Sequence, residues 1–100
     1  MTSGKNEIIK LLRAHMRDLR ARGVSHVYLF GSLARDEQTS DSDIDIAIRI
    51  EPGHRIGLAA LARLQRQLSD MLGRKADITI LPARKERLRQ VLEHEAIRAF

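Results

Sequence analysis

Two spacings of apolar residues alternate along the chain, one typical of helices and the other typical of strands. Apolar residues three or four positions apart predict a first helix over about residues 6–22, a second that ends at Gly73, and a third over residues 84–100. Gly23 follows the first helix, as glycine commonly does at a helix end. The apolar positions of the first two helices are Ile9, Leu12, Met16 and Leu19, and then Leu58, Leu61, Leu64, Leu68, Met71 and Leu72.

Three strands are predicted between these helices. The segment VSHVYLF, residues 24–30, is mostly apolar and ends at Gly31. The segment ADITILP, residues 76–82, places Asp77 and Thr79 opposite three apolar residues. The segment DIDIAIRI, residues 43–50, alternates between a face of four isoleucines and a face that carries Asp43, Asp45, Ala47 and Arg49. The order α-β-β-α-β-α predicts an α/β fold in which helices cover a small mixed sheet.

Length and composition limit the class of protein. A chain of 100 residues, 43% of them hydrophobic, suits one compact domain spanning residues 1–100. It contains no cysteine, which excludes disulfides, thiolate metal sites and cysteine catalysis. It has no apolar run long enough for a transmembrane helix, and its first residues lack the apolar core of a secretory signal. We therefore expect a cytoplasmic protein that does not associate with membranes.

The chain is basic, with 18 Lys and Arg against 13 Asp and Glu. A formal charge of +5 suits an acidic partner, whether nucleic acid, nucleotide or an acidic protein surface, and does not choose among them. Only 3% of the residues are aromatic, so the stacking side chains of a single-strand nucleic-acid binder are missing, and nucleic acid is not favoured. A basic stripe on the first helix, interpreted as a solvated flank, consists of Lys10, Arg13, Arg17 and Arg20.

A cluster of acidic residues follows the first predicted strand and consists of Asp36, Glu37, Asp41, Asp43 and Asp45. Within it, Asp43 and Asp45 occupy alternate positions of a strand, so their side chains emerge on the same face about 6 to 7 Å apart. Two charged carboxylates so close together are costly without a cation. Mg²⁺ prefers hard oxygen ligands, and two ions about 3.5 to 4 Å apart can hold the attacking and leaving oxygens of a nucleotidyl transfer. Asp77 would complete a carboxylate triad if its strand lies beside that of Asp45.

The corner between the first strand and this cluster has the features of a phosphate site. Gly31 lets a phosphate approach the main chain, and Ser32 adds a hydroxyl beside the backbone N–H groups. Arg35, about one helical turn later, could add a charge-assisted contact. Taken alone, these residues could form an ordinary turn and helix cap, and the aspartates an exposed edge-strand face. Their joint occurrence favours a nucleotide site.

These motifs together resemble the signature of the polymerase-β-type nucleotidyltransferases. GSLAR, followed at short distance by SDIDI and later by ADITI, is similar to the Gly-Ser, Asp-x-Asp and third aspartate of that superfamily. The resemblance is continuous over about residues 24–80. In length and motif placement the chain looks most like the minimal nucleotidyltransferases, the MNT family. One departure is Asp36, where the family often has Gly.

The resemblance implies roles for particular residues. The implied site residues are Asp43, Asp45 and Asp77 for metal binding and catalysis, and Gly31, Ser32 and Arg35 for the nucleotide. The first two aspartates would bind two Mg²⁺ ions. Asp77 would ligate the catalytic ion and help to activate the attacking hydroxyl. The Gly-Ser corner would hold the triphosphate of ATP, with the arginine as a further phosphate contact.

The resemblance also implies a partner. MNT proteins typically act with a HEPN-domain protein, and such pairs behave as toxin–antitoxin systems in which the HEPN protein is an RNase. The implied function is therefore a Mg²⁺-dependent antitoxin that transfers AMP from ATP to a tyrosine of its HEPN toxin, with which it forms a hetero-oligomer. The predicted helix over residues 84–100 spreads apolar residues beyond one stripe, and it is a candidate docking surface unless packing on the sheet uses them.

Two other functions stay open at the level of sequence. A catalytically silent antitoxin would inhibit the toxin by binding alone. A nucleotidyltransferase could instead act on RNA or on a small molecule. The basic stripe mildly favours RNA, whereas the lack of aromatic platforms counts against it.

Overall fold

The computed structural model describes residues 4–37 and 42–100 of the chain. Within these ranges the elements are α1 (Lys5–Ala14), α2 (Met16–Ala21), β1 (Val24–Phe30), β2 (Ile44–Ile50), α3 (Leu58–Leu72), β3 (Ala76–Leu81), α4 (Glu86–Glu95) and β4 (Ile97–Arg98). The predicted α/β class is confirmed, and all three predicted strands are present. None of the helices in the described ranges is long and apolar enough to cross a membrane.

The strands form one mixed sheet in the order β3-β2-β1-β4. β1 runs antiparallel to both β2 and β4. β2 and β3 are parallel, and α3 supplies the crossover connection that a parallel pair requires. β2 is therefore an inner strand, with β1 on one side and β3 on the other.

The main core lies between one face of the sheet and helices α1 to α3. The alternation of DIDIAIRI is confirmed, because its first three isoleucines are fully buried. The buried side chains that meet in this core include Ile8, Leu12, Val27, Leu29, Ile44, Ile46, Ile48, Leu64 and Leu68. The predicted stripe of α3 is wrong at its first position, since Leu58 is 87% exposed at the start of the helix.

Two leucines of α3 provide a matched test of the core. Leu68 is fully buried, whereas Leu58 is exposed. Leu68→Ala is expected to lower the free energy of unfolding by about 2 to 5 kcal/mol, because it removes buried methyl groups and leaves a cavity. Leu58→Ala is expected to change it by about 0.5 kcal/mol or less. Urea unfolding followed by circular dichroism measures both values, and equal losses would contradict the assignment of Leu68 to the core.

The prediction of one helix over residues 6–22 is wrong in one respect, because the segment forms two helices. His15 separates α1 from α2 with φ −102° and ψ 10°. Its ring Nδ1 lies 2.9 Å from the carbonyl oxygen of Leu11, and its backbone N–H donates to the same oxygen at 3.3 Å. The ring and the backbone of His15 thus share one helical acceptor at the point where the helix is interrupted.

The predicted helix over residues 84–100 is too long at both ends. α4 begins at Glu86 and ends at Glu95, and Ile97–Arg98 pair with β1 as strand β4. Ala99 and Phe100 are buried. The edge of β1 offers backbone hydrogen-bonding groups that a continued helix could not satisfy. Much of the apolar surface that suggested docking near residue 100 is therefore used inside the chain, while Val91 of α4 stays 36% exposed.

α4 lies over the opposite face of the sheet from α1 to α3. A cavity of about 230 Å³ is lined by residues of both the sheet and the helix, including Tyr28, Arg49, Leu81, Leu92 and Ala96. Ala47 is fully buried on this face. At the end of the sheet where β2 and β3 begin, the side chains of Asp43 and Asp77 are 42% and 48% exposed. The acidic end of this face is therefore open to solvent.

Part of the basic stripe on the first helical segment is occupied within the chain. Nε of Arg13 donates to the carbonyl of Ala99 at 2.7 Å. The guanidinium of Arg20 lies 5.4 Å from the ring centroid of Phe100, within the range of a cation–π contact. These two arginines hold the C-terminal residues against α1 and α2, which reduces the basic surface left for RNA.

Candidate functional site

Three aspartates lie at the end of the sheet where β2 and β3 begin. Asp45 in β2 and Asp77 in β3 are direct neighbours in the parallel register. Adjacent strands lie about 4.8 Å apart, so the two side chains leave the same face of the sheet at nearly the same height. Asp43 comes immediately before β2. The sequence condition for a carboxylate triad, that the strand of Asp77 lies beside the strand of Asp45, is met.

The negative charges at this end of the sheet repel one another. Burial raises the pKa of Asp45 above its ordinary value, and the neighbouring charges of Asp77 and Asp43 raise it further. Nζ of Lys75 lies 3.9 Å from Oδ2 of Asp43 and 4.0 Å from Oδ1 of Asp77, but this lysine side chain is 66% exposed. Exposed ion pairs of this kind contribute little. A divalent cation would relieve the repulsion that Lys75 leaves.

Contacts from the turn before β3 fix the start of β2. Nη2 and Nε of Arg74 donate to the carbonyl of Ser42 at 2.7 and 3.3 Å. The N–H of Ile44 donates to the carbonyl of Lys75 at 2.8 Å. These bonds lie on either side of Asp43, so the backbone that carries it is held against the chain that leads into β3.

Gly31 and Ser32 form a tight corner directly after β1 and against Asp45. Gly31 has φ +77°, in the left-handed region that glycine adopts readily. A Cβ atom on Gly31 would overlap Oδ2 of Asp45 and would lie 3.0 Å from its Cγ. The corner continues as a turn in which the N–H of Glu37 donates to the carbonyl of Ser32 at 2.8 Å. Leu33, fully buried, anchors this turn in the core.

The carboxylate of Glu95, at the end of α4, reaches this corner. Its Oε1 accepts from the N–H of Gly31 and from Nη1 of Arg35, both at 3.0 Å, and its Oε2 accepts from the same Nη1 at 2.9 Å. Arg35 also donates from Nε to Glu37 at 3.1 Å. These hydrogen bonds, first those with Glu95 and then those with Glu37, raise the pKa of the Arg35 guanidinium. The predicted phosphate contact is thus held by carboxylates of the chain itself.

Asp36, at the position where the MNT family often has Gly, adopts a left-handed backbone conformation. Its φ is +58°, a value that aspartate tolerates better than most residues. Nζ of Lys5 in α1 donates to its Oδ2 at 3.1 Å. The additional acid is therefore paired with a lysine, and its backbone has a left-handed conformation that aspartate tolerates.

The aspartates suit a hard divalent cation by donor chemistry, but they do not form a complete cage. Within residues 4–37 and 42–100, no group of three His, Cys, Asp or Glu side chains is arranged to hold a metal ion. Mg²⁺ usually binds through one or two carboxylates and completes its shell with waters and substrate phosphates. The repulsion at Asp45 and the adjacent Gly31 corner fit an ion that is bound together with a nucleotide.

Comparison with known protein families decides the class of this site. The family model described as nucleotidyltransferase domain matches residues 9–98. The chain belongs to the nucleotidyltransferase domain family. The predicted enzyme class is thereby confirmed, and the matched residues of this nucleotidyltransferase include every aspartate of the site.

Individual relatives of this nucleotidyltransferase agree with the family. One from Methanocaldococcus jannaschii, provisionally named a protein adenylyltransferase, is 44% identical over an alignment of 75 residues, and the match covers 73% of this chain and 74% of the relative. The protein adenylyltransferase MntA of Thermococcus cleftensis is 32% identical over an alignment of 92 residues, and the match covers 91% of each chain. The resemblance to minimal nucleotidyltransferases is confirmed.

Solved structures show the same fold in toxin–antitoxin complexes. A chain in a toxin–antitoxin structure with AMP-PNP has a TM-score of 0.72 and 28% identity, and the match covers 98% of this nucleotidyltransferase and 73% of that chain. A second match, with a TM-score of 0.62 and 26% identity, covers 96% and 68% of the two chains. It comes from a structure of a tri-AMPylated Shewanella oneidensis HEPN toxin with its MNT antitoxin.

All the predicted site residues of the nucleotidyltransferase lie around one corner of the sheet. They are Gly31, Ser32, Arg35, Asp43, Asp45 and Asp77. Their individual roles stay predictions, because position alone does not test them. Glu95 was missed by sequence reasoning. It lies 64 residues from Gly31, in a helix whose pattern gives no sign of a partner so far away.

The raised pKa of Asp45 predicts how the stability of the metal-free protein depends on pH. An acid whose pKa is higher in the folded state than in the unfolded state stabilises the fold while protonated, and that contribution is lost as pH rises through the folded pKa. Asparagine cannot ionise, so Asp45→Asn does not lose stability in this way. In EDTA, the stability of the variant relative to wild type should therefore increase from the ordinary aspartate range, about pH 4, towards pH 7. Thermal unfolding across this range measures it, and a constant difference would contradict the raised pKa.

Proposed function

We propose that this nucleotidyltransferase is a Mg²⁺-dependent antitoxin that transfers AMP from ATP to a tyrosine of a cognate HEPN RNase toxin and thereby neutralises it. The observation that carries the proposal is the position of Asp45 in the sheet, beside Asp77 of β3 and against the Gly31 corner that follows β1. The relatives named above support protein as the acceptor and AMP as the transferred group, since one is a protein adenylyltransferase and one similar structure holds a tri-AMPylated HEPN toxin.

The proposed nucleotide lies across the corner and the aspartates. The N–H groups and hydroxyl of Gly31 and Ser32 hold the triphosphate, because phosphate oxygens accept such hydrogen bonds. Asp43, Asp45 and Asp77 would hold the Mg²⁺ ions, which when bound neutralise the charge of the phosphates and the leaving group. The chain itself contributes mainly position and electrostatic stabilisation.

The transfer exchanges one phosphorus–oxygen bond for another. The hydroxyl oxygen of the tyrosine bonds to the α-phosphorus, and the bond from that phosphorus to the oxygen bridging the β-phosphate breaks. Pyrophosphate leaves with the bonding electrons, and the proton of the hydroxyl passes to a carboxylate of the site. Asp77 is the carboxylate best placed to assist at the hydroxyl, because β3 is an edge strand of the sheet and leaves the Asp77 side chain 48% exposed to an incoming protein.

Intact mass spectrometry of the cognate HEPN protein tests the proposal. The HEPN protein is incubated with this chain, ATP and Mg²⁺, and in parallel with EDTA in place of Mg²⁺. We expect a mass gain of one or more AMP units only with Mg²⁺, located on tyrosine by fragmentation, and absent with the Asp43→Ala, Asp45→Ala double variant. Labelled AMP on RNA, with none on protein, would replace this proposal with transfer to RNA.

One observation favours a second function, which is neutralisation by binding alone. Glu95 occupies both Gly31 and Arg35, the groups that would hold the triphosphate. A silent antitoxin would have no need to release them. A toxin that is neutralised equally well by wild type and by the double variant, with no mass gain in either case, would support this second function.

A further inference from the structure

Glu95 makes an anionic contact at the very corner that the proposed function assigns to the triphosphate. It accepts the N–H of Gly31 at 3.0 Å and grips Nη1 of Arg35 with both carboxylate oxygens, at 3.0 and 2.9 Å. Resting on that function, we propose that Glu95 is a built-in competitor of the nucleotide. Its carboxylate holds the phosphate-binding groups in the nucleotide-free protein and must leave them for a triphosphate to bind.

The competition follows from the donors that the two anions share. A carboxylate and a phosphate both present acceptor oxygens, and the Gly31 N–H makes one good hydrogen bond at a time. Burial alone would raise the pKa of Glu95, but the hydrogen bonds from Arg35 and Gly31 outweigh it and lower the pKa, so the carboxylate is charged at neutral pH. A phosphate placed beside this charge would also be repelled. The two anions therefore exclude each other.

The exchange needs a movement of the Glu95 side chain only. The backbone on its C-terminal side is fixed, because the N–H of Ala96 donates to the carbonyl of Leu92 at 3.0 Å and Ile97 pairs with Leu29 in the sheet. The side chain of Glu95 is 20% exposed, so it is not enclosed by the protein. Rotation about its side-chain torsions releases Gly31 and Arg35 while α4 and β4 stay in place.

Glu37, the other acid bound to Arg35, is placed differently. It accepts from Nε at 3.1 Å, on another edge of the guanidinium, and its side chain is 63% exposed. Solvent screens this pair strongly. Of these two acids, Glu95 is the one that accepts the Gly31 N–H. The competition is therefore specific to the acid at the end of α4.

Titration calorimetry with Mg²⁺ and AMP-PNP, an ATP analogue with an uncleavable β–γ link, measures the competition. Glu95→Gln keeps the shape but removes the charge, and it is expected to lower the Kd roughly 3- to 10-fold, because hydrogen bonds to charged groups are about twice as strong as neutral ones. Glu95→Asp, shorter by one methylene, withdraws the charge from the donors and should also lower the Kd. Glu93→Gln, an exposed residue of the same helix, is the matched control and should leave the Kd within about a factor of two.

Each outcome bears on the proposal. A Kd for Glu95→Gln that equals or exceeds the wild-type value would overturn the competition, although nucleotide binding by wild type would leave the proposed function standing. Binding by neither protein would overturn both. The gain from Glu95→Gln should shrink in an Arg35→Gln background, because the competition acts partly through that guanidinium. An undiminished gain there would contradict it, and thermal unfolding of every variant establishes that the compared proteins are folded.

Discussion

Replacing Asp45 with Asn is expected to slow AMP transfer by about a thousandfold or more while the chain stays folded. Asp45 is the central carboxylate, paired across the sheet with Phe30 on one side and Asp77 on the other. Asparagine has nearly the same shape, but it lacks the charge and one of the two oxygens that a hard cation needs. A thousandfold loss corresponds to about 4 kcal/mol of transition-state stabilisation. Initial rates with labelled ATP and the cognate HEPN protein, at saturating Mg²⁺, measure the effect.

The stability of Asp45→Asn shows whether a loss of activity comes from unfolding. Burial and the neighbouring acids raise the pKa of Asp45, so removing its charge should leave the metal-free protein at least as stable as wild type at neutral pH. Asp70→Asn makes the same chemical change at an exposed position of α3 and should keep the wild-type rate within about a factor of two. If Asp45→Asn retains more than about a tenth of the wild-type rate, Asp45 is not a ligand on which catalysis depends.

The acidic face of β2 was predictable because it depends on local periodicity alone. A strand has a period of two, so the order of letters in DIDIAIRI determines which side chains share a face. The pairing of Asp45 with Asp77 was predictable only as a condition. It requires β3 to lie next to β2 in a particular register, and register is set by long-range packing as well as by pattern.

Most of the features that sequence reasoning missed depend on contacts between distant segments. Glu95 meets Gly31 across 64 positions, and its own helix carries no sign of that contact. β4 is two residues long, too short to show an alternation, and forms because β1 offers it an edge. The break at His15 involves a ring hydrogen bond to Leu11, which apolar spacing does not report. Local patterns therefore locate the aspartates, whereas the charge that opposes the nucleotide emerges only from the fold.

Gly31→Ala is expected to reduce AMP transfer by about a hundredfold, because the new methyl group displaces the carboxylate of Asp45. The new Cβ would overlap Oδ2 of Asp45, so the Asp45 side chain or the corner must shift. A displacement of about 1 Å in a catalytic group is sufficient for a loss of this size. The φ of +77° also disfavours alanine. If the backbone relaxes to a more favourable φ, the N–H of residue 31 turns away from its present direction. Transfer rates and AMP-PNP affinity should both fall.

Gly53→Ala separates the effect of backbone strain from the effect of the overlap with Asp45. Gly53 has a similar φ of +83°, but a Cβ there would meet nothing within 4 Å. Both variants should lose about 1 kcal/mol of stability from the left-handed backbone, as measured by urea unfolding. Only Gly31→Ala should lose transfer, because only its Cβ disturbs Asp45. Since backbone strain is common to the pair, a transfer rate for Gly31→Ala within about twofold of the rate for Gly53→Ala would mean that the close approach of Gly31 to Asp45 has no part in forming the site.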